Sequence, residues 1–170
     1  MKNNTLFITY NPRQQEEQTL AVRLHTIGAA NGFRVFLPDR FNSDRVLAAE
    51  TQRRIDESDY FVLFSLTANL SPVVADEMTY AWRRFKDKGR ILVIYKQEGE
   101  KSLHPEASKF CTEIYYNPTL QSMDSVLHKI MDVLFQKQSK LKNDKQLENS
   151  LLALLGIGLG LLALNEFAKE

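Results

Sequence analysis

The chain has 170 residues, of which 44% are hydrophobic, and its net charge of +1 comes from 22 basic and 21 acidic side chains. This composition predicts a folded domain with a real core, and it excludes a disordered chain or a general nucleic-acid binder with its basic excess. The single cysteine, Cys111, excludes an internal disulfide and a cysteine-rich metal site. The first apolar run, Leu6–Ile8, is too short for a signal peptide, so we expect a cytoplasmic protein.

Strands and helices are predicted to alternate along most of the chain. Short apolar and aromatic runs predict strands at 5–10, 33–37, 60–65, 91–95 and 113–116. Apolar residues at helical spacing predict helices at 14–30, 43–57, 72–87 and 120–135. Ser43 or Asp44 is expected to cap the second helix, and Ser71 the third. The alternation predicts an α/β fold of the flavodoxin-like type, a five-stranded parallel sheet with helices on both faces.

The composition changes after residue 135, so a domain over 1–135 is predicted to end there. Residues 136–150 are polar and rich in lysine, which predicts a connector. An apolar C-terminal helix is predicted over 151–170, because the 14 residues from 151 to 164 carry no polar side chain.

The apolar helix has three open interpretations: self-association, membrane contact and packing against the domain. Fourteen residues span about 21 Å, short of the ~30 Å hydrocarbon core, so membrane contact is the less favoured of the first two. Self-association is preferred because small residues form a strip suited to close helix contact, namely Ala153, Gly156, Gly160 and Ala163.

Glu77 is the candidate functional carboxylate. It falls on the second turn of the third predicted helix, near the carboxyl edge of the sheet, where open α/β sheets bind ligands. Val73, Tyr80 and Ala81 share its helical face, so we expect the carboxylate to be partly desolvated. A solvated helix residue is the alternative interpretation, and Asp76 is a rival for the role.

Further polar residues follow the strands at the same edge. Tyr10, Asn11 and Arg13 follow the first strand, and Arg13 can pair with a pyrophosphate or be an ordinary surface arginine. Ser65 and Asn69 follow the third strand, where they can bond ribose hydroxyls or turn the chain locally. The three histidines have no metal-ligand spacing, so no metal site is expected.

Several segments resemble, in order, parts of a Toll/interleukin-1 receptor (TIR) domain. Leu6–Tyr10 resembles the opening strand, and Gly32–Asp39 resembles the second strand with the start of the following BB loop. Arg54–Ser65 resembles the next helix and strand, and Ser71–Glu77 resembles the start of the third helix. The resemblance extends over residues 4–135.

The TIR resemblance implies an enzyme that cleaves NAD⁺ between nicotinamide and ribose, with Glu77 in the position of the essential glutamate. Breaking this bond develops positive charge on the ribose, which a carboxylate stabilises. NAD⁺ is then a substrate, and no cofactor is implied. The implied product is ADP-ribose or a cyclic or conjugated ADP-ribose signal, sensed by a downstream effector in antiphage immunity. Homo-oligomers or filaments through the BB loop and the C-terminal helix are also implied.

The resemblance also extends the candidate binding site. Family members often carry a tryptophan four residues before the glutamate, where this chain has Val73. An aromatic residue elsewhere, from Tyr10, Phe41, Tyr80 or Trp82, is expected to replace it. The BB-loop residues Asp39, Arg40, Phe41 and Asn42 are expected to control access to the site or contact another subunit. The predicted substrate-binding set is Tyr10, Asn11, Arg13, Phe41, Ser65, Asn69, Ser71 and Trp82.

The Glu77 segment also resembles nucleoside 2-deoxyribosyltransferase-like proteins. They place a glutamate on a helix after a strand and an asparagine-containing loop, and here Leu66–Asn69 precedes the helix. This resemblance implies attack at the sugar carbon of a nucleoside N-glycoside. A non-enzymatic TIR adaptor is the alternative from a different class.

Overall fold

The structure, a computed structural model, describes residues 4–40, 46–97, 99–140 and 143. Its strands are β1 (Thr5–Tyr10), β2 (Arg34–Phe36), β3 (Tyr60–Ser65), β4 (Ile91–Lys96) and β5 (Cys111–Tyr116). Its helices are α1 (Gln15–Ala30), α2 (Ala49–Asp56), α3 (Pro72–Phe85), α4 (Pro105–Ser108) and α5 (residues 123–140). The fourth of these helices is a single turn inside a segment predicted to be a loop.

The strands form one sheet in the order β2-β1-β3-β4-β5, with each neighbouring pair parallel. The α/β, flavodoxin-like prediction is therefore confirmed. Because β1 pairs with β3 up to Tyr10 and Phe64, the loops that follow these two strands meet at the centre of the carboxyl edge. That meeting point positions the candidate site.

Helices cover both faces of the sheet. On one face, Phe7 stacks on Phe61 with ring centroids 5.5 Å apart, in a buried cluster that includes Val74 of α3. The side chains of neighbouring strand residues point to opposite faces, so Leu6 lies on the other face. Helix α1 packs closely there, because a Cβ at Gly28 would lie 3.0 Å from Val35 Cγ2 and 3.9 Å from Leu6 Cδ2.

The second helix begins later than predicted. It starts at Ala49 with Ala48 at the N-cap position, so neither Ser43 nor Asp44, which lie outside the described residues, caps it. Val46, three residues before the helix, is 65% exposed. Packing of a buried face supplies most of a helix's stability. In this helix the buried residues are Thr51 and Ile55.

The last described helix also differs from the prediction. Asn117 Oδ1 accepts hydrogen bonds from Thr119 N–H and Thr119 Oγ1, which form a turn where the helix was expected to begin. The helix continues to residue 140, into the segment predicted as a connector.

The chain divides into two compact units, one ending at Met131 and the other starting at Asp132. None of the described helices is long and apolar enough to cross a membrane. The predicted assembly residues Ala153, Gly156, Gly160 and Ala163 lie outside the described residues.

Candidate active site

Glu77 lies on the buried face of α3. Val73, Glu77 and Ala81 are all buried, which confirms that the glutamate shares a helical face with apolar side chains. Its side chain is 0% exposed, so the expected desolvation is complete in the substrate-free protein. A glutamate in this position needs polar partners, because an isolated buried carboxylate is strongly disfavoured.

Two side chains from other elements supply those partners. Thr9 Oγ1, near the end of β1, donates a hydrogen bond of 2.5 Å to Glu77 Oε2. Arg40, which follows β2, lies with Nη1 2.5 Å from Glu77 Oε1 and donates from Nη2 to Oε2 at 3.1 Å. The guanidinium thus engages both carboxylate oxygens, in the bidentate manner that suits an arginine.

The protonation of Glu77 reflects opposing influences. Burial raises the pKa of this carboxyl above its usual value, and this is the largest influence. The charge and hydrogen bonds of Arg40 and the hydrogen bond from Thr9 lower the pKa, while the nearby charge of Asp76 raises it. Burial therefore favours the neutral carboxyl, and Arg40 and Thr9 favour the charged carboxylate.

Arg40 is held by contacts beyond Glu77. Its Nη2 donates to Thr9 Oγ1 and to the Tyr10 carbonyl oxygen, each at 3.2 Å. Its guanidinium also lies 6.0 Å from the centre of the Tyr10 ring. Its Nε is buried and has no hydrogen-bond partner among the described residues. Tyr10 therefore stands at the site as a neighbour of Arg40.

A second buried carboxylate, Glu17 of α1, ties together the loops at this edge. It accepts hydrogen bonds from the backbone N–H of Asn11 (2.8 Å) and of Leu66 (2.7 Å), and from Asn11 Nδ2 at 2.9 and 3.2 Å. Asn11 Oδ1 in turn accepts from Ser71 N–H at 2.7 Å. Burial raises the pKa of Glu17, against the lowering effect of these hydrogen bonds. The network joins the end of β1, the end of β3 and the start of α3.

A cleft of about 470 Å³ lies beside this network. Its lining residues come from the two loops and the start of α3, namely Asn11, Pro12, Arg13, Gln14, Thr67, Asn69, Leu70, Ser71 and Pro72. The described lining residues include an arginine and no carboxylate. Glu77 lies five residues beyond Pro72 in α3, roughly 8 Å along the helix axis at ~1.5 Å per residue. The structure thus brings four predicted binding residues, Asn11, Arg13, Asn69 and Ser71, into one cleft, and Glu77 is not among the described residues that line it.

Ser71 differs from its prediction in one respect. It occupies the N-cap position with an extended backbone, but its side chain makes no capping hydrogen bond. Its hydroxyl oxygen is buried and has no partner among the described residues. The backbone N–H of Ser71 bonds Asn11 instead, and this contact fixes where α3 begins.

The other described residues of the predicted binding set, Tyr10, Ser65 and Trp82, do not line this cleft. Ser65 is buried, and its hydroxyl pairs with Ser102 Oγ at 2.5 Å. Trp82 lines a different pocket of about 350 Å³, where it contacts the edge of Phe110 with ring centroids 6.2 Å apart. Five residues at 100° each turn Trp82 well away from Glu77 on the helix. Phe41 lies outside the described residues. Among the aromatic candidates that the structure describes, Tyr10 adjoins Arg40 of the Glu77 cluster with its backbone and its ring.

Thr9 and Glu17 were missed by the sequence analysis, and Arg40 was expected only as part of a loop. A sequence signal existed for Glu17, because Leu20, Ala21 and Leu24 lie three, four and seven residues later on the same helical face. Its partner Leu66 is 49 positions away, which no local pattern reveals. In the described part of the chain, no group of three or more His, Cys, Asp or Glu side chains is arranged to hold a metal ion.

Comparisons with known proteins bear on the fold. No protein-family model matches the chain, and no curated protein matches it in sequence. Among solved structures, the chain is similar to the CMP N-glycosidase BcmB from Clostridium botulinum. The match has 16% sequence identity and a TM-score of 0.51, and it covers 75% of this chain and 97% of that one. At this identity the likeness shows a shared fold.

Proposed function

We propose that this protein cleaves the N-glycosidic bond of a nucleoside or nucleotide and that Glu77 acts at the sugar carbon of that bond. The observation that carries the proposal is the buried carboxylate of Glu77, held by Thr9 and Arg40 at the same edge of the sheet as the cleft. A carboxylate buried at such cost and placed at the ligand-binding edge of an α/β sheet is typical of a functional group.

The chemistry needs one negative charge in the right place. As the bond between C1′ and the base nitrogen breaks, the base takes the electron pair and positive charge develops on the sugar ring. A carboxylate next to C1′ stabilises that charge, and more strongly in a site that excludes water. Water then adds to C1′ and gives up a proton, so the products are the free sugar or sugar phosphate and the free base.

The cleft carries amide groups and a positive charge that can contact the rest of the substrate. Asn11 and Asn69 carry amides that can bond hydroxyl groups, and Arg13 carries a charge that can pair with a phosphate. A substrate bound there would approach Glu77 along the end of β1, because Asn11 of the cleft follows Tyr10, whose carbonyl oxygen contacts Arg40 of the Glu77 cluster. Positioning of the sugar by such contacts contributes to rate by holding the reacting atoms together.

The comparison with a solved structure supports N-glycosides as the class of substrate and does not select one substrate within that class. The fold neighbour is named as a CMP N-glycosidase. This favours the deoxyribosyltransferase-like resemblance over the TIR resemblance. NAD⁺ contains the same bond type, so NAD⁺ cleavage stays a prediction of the TIR resemblance. Both resemblances imply cleavage of an N-glycosidic bond.

A substrate panel tests this proposal. The purified full-length protein is incubated with ribonucleosides, 2′-deoxyribonucleosides, nucleoside 5′-monophosphates and NAD⁺, and release of free base or nicotinamide is followed by chromatography. We expect base release from at least one of these classes. No release from any of them, by folded protein at high concentration, would contradict the proposal and favour the adaptor alternative.

A further inference from the structure

Arg40 bonds both carboxylate oxygens of Glu77. Both oxygens of Glu77 are engaged, Oε1 by Arg40 Nη1 and Oε2 by Thr9 and Arg40 Nη2, and the carboxylate is 0% exposed. A sugar carbon cannot reach Glu77 until the guanidinium moves away. The arginine is therefore a competitor of the substrate in this conformation.

Moving Arg40 has an electrostatic cost. Separating one partner from a buried ion pair leaves an uncompensated charge, which is strongly unfavourable. The sugar acquires positive charge only as the bond breaks, so a neutral nucleoside offers Arg40 no new partner when it binds. A substrate that carries its own anionic group offers one.

We propose that Arg40 is a specificity residue, which leaves Glu77 for a phosphate group of the substrate and so selects phosphorylated N-glycosides over unphosphorylated ones. This inference rests on the proposed function, since it assigns the substrate class of the same site. The arginine suits the role because its planar fork matches phosphate as well as carboxylate.

The surroundings of Arg40 fit such a movement. Arg40 lies in neither a helix nor a strand, and Asp39 N–H donates to Thr51 Oγ1 at 2.9 Å, which anchors the backbone one residue earlier. With the backbone anchored there, the proposed movement of the guanidinium away from Glu77 is a rotation of the Arg40 side chain alone. Nη2 already contacts the Tyr10 carbonyl, next to Asn11 of the cleft, and Nε is a donor with no partner among the described residues.

The inference can be tested by measuring the binding of a compound that the enzyme does not turn over. Ribose 5-phosphate has a sugar and a phosphate but no N-glycosidic bond, so the enzyme cannot consume it. If Glu77 and phosphate compete for Arg40, replacing Glu77 by glutamine frees the arginine and tightens phosphate binding. The gain follows from the larger fraction of protein in the binding-competent state.

The experiment measures the Kd of ribose 5-phosphate and of ribose by calorimetry at one salt concentration. We expect Glu77→Gln to bind ribose 5-phosphate at least about tenfold more tightly than the wild type. The double variant Glu77→Gln/Arg40→Gln should lose that gain. Asp76→Asn is the matched control, because it removes an exposed charge beside Glu77. As a screened surface charge it should change the Kd less than about twofold.

Two outcomes would overturn the inference. One is a Glu77→Gln protein that binds ribose 5-phosphate no better than the wild type, and the other is a gain that persists without Arg40. If Glu77→Gln does not fold, Arg40→Gln alone decides, since it must lower the ratio by which the protein prefers ribose 5-phosphate over ribose. Failure of the proposed function would appear separately, as absence of base release from the panel.

Discussion

Arg40 and Glu77 form an ion pair with 2.5 Å between Nη1 and Oε1, in which the glutamate is fully buried and the arginine side chain is 15% exposed. The pair joins the segment after β2 to the second turn of α3, across the carboxyl end of β1, where Thr9 bonds the same carboxylate. Because burial disfavours the charged carboxylate, the arginine sets how far Glu77 is ionised at a given pH.

The pH dependence of base release should therefore change when Arg40 is replaced. Activity requires ionised Glu77, so it should rise with pH through the pKa of this group, which burial holds above the usual value for a glutamate. Arg40 lowers that pKa in the free protein by its charge and hydrogen bonds, so Arg40→Gln should move the acid side of the pH profile of kcat/KM to higher pH. Arg40→Lys keeps the charge and should move it less. An unchanged or downward-shifted profile in Arg40→Gln would contradict this account.

Glu17 is expected to be a structural residue of the cleft. Glu17→Gln replaces one acceptor oxygen by an amide group that faces the N–H groups of Asn11 or Leu66. A buried donor left without an acceptor costs about 1–3 kcal/mol, so the free energy of unfolding should fall by that amount in urea denaturation. The matched control is Glu16→Gln, at the neighbouring position on the helix. Equal effects of the two substitutions would rule out a special role for the Glu17 network.

The C-terminal segment is predicted to act through assembly. Removing residues 147–170 should leave a folded monomer with little activity, because the apolar strip with Gly156 and Gly160 is expected to mediate close helix contact. Size-exclusion chromatography and base release measure the two parts of this prediction. A truncated monomer with full activity would show that the segment is unnecessary for catalysis.

The sequence predicted the scaffold well because each strand carries a local apolar signal. The run Ile91–Tyr95 is fully buried, as is typical of a strand covered on both faces, and β5 lies at the edge of the sheet. Burial of Glu77 also followed from local spacing, since helical neighbours three and four residues away are apolar.

The contacts that define the site could not be predicted in the same way. Arg40 and Glu77 are 37 positions apart, and Thr9 and Glu77 are 68 apart, so their contacts depend on how the sheet is assembled. Trp82 was expected near the substrate because it is aromatic, but its helical angle relative to Glu77 places it in another pocket. Ser65 likewise pairs with Ser102, a residue in a segment without a strong sequence pattern.

The most direct test of the central claim compares three full-length proteins, the wild type, Glu77→Gln and Asp76→Asn, on the substrate that the panel identifies. Glutamine keeps the size of the side chain and removes the charge that stabilises the sugar cation. We expect kcat to fall by at least about 10²–10³-fold in Glu77→Gln and to stay near the wild-type value in Asp76→Asn. Base release by Glu77→Gln at the wild-type rate would contradict the assignment of Glu77 as the catalytic carboxylate.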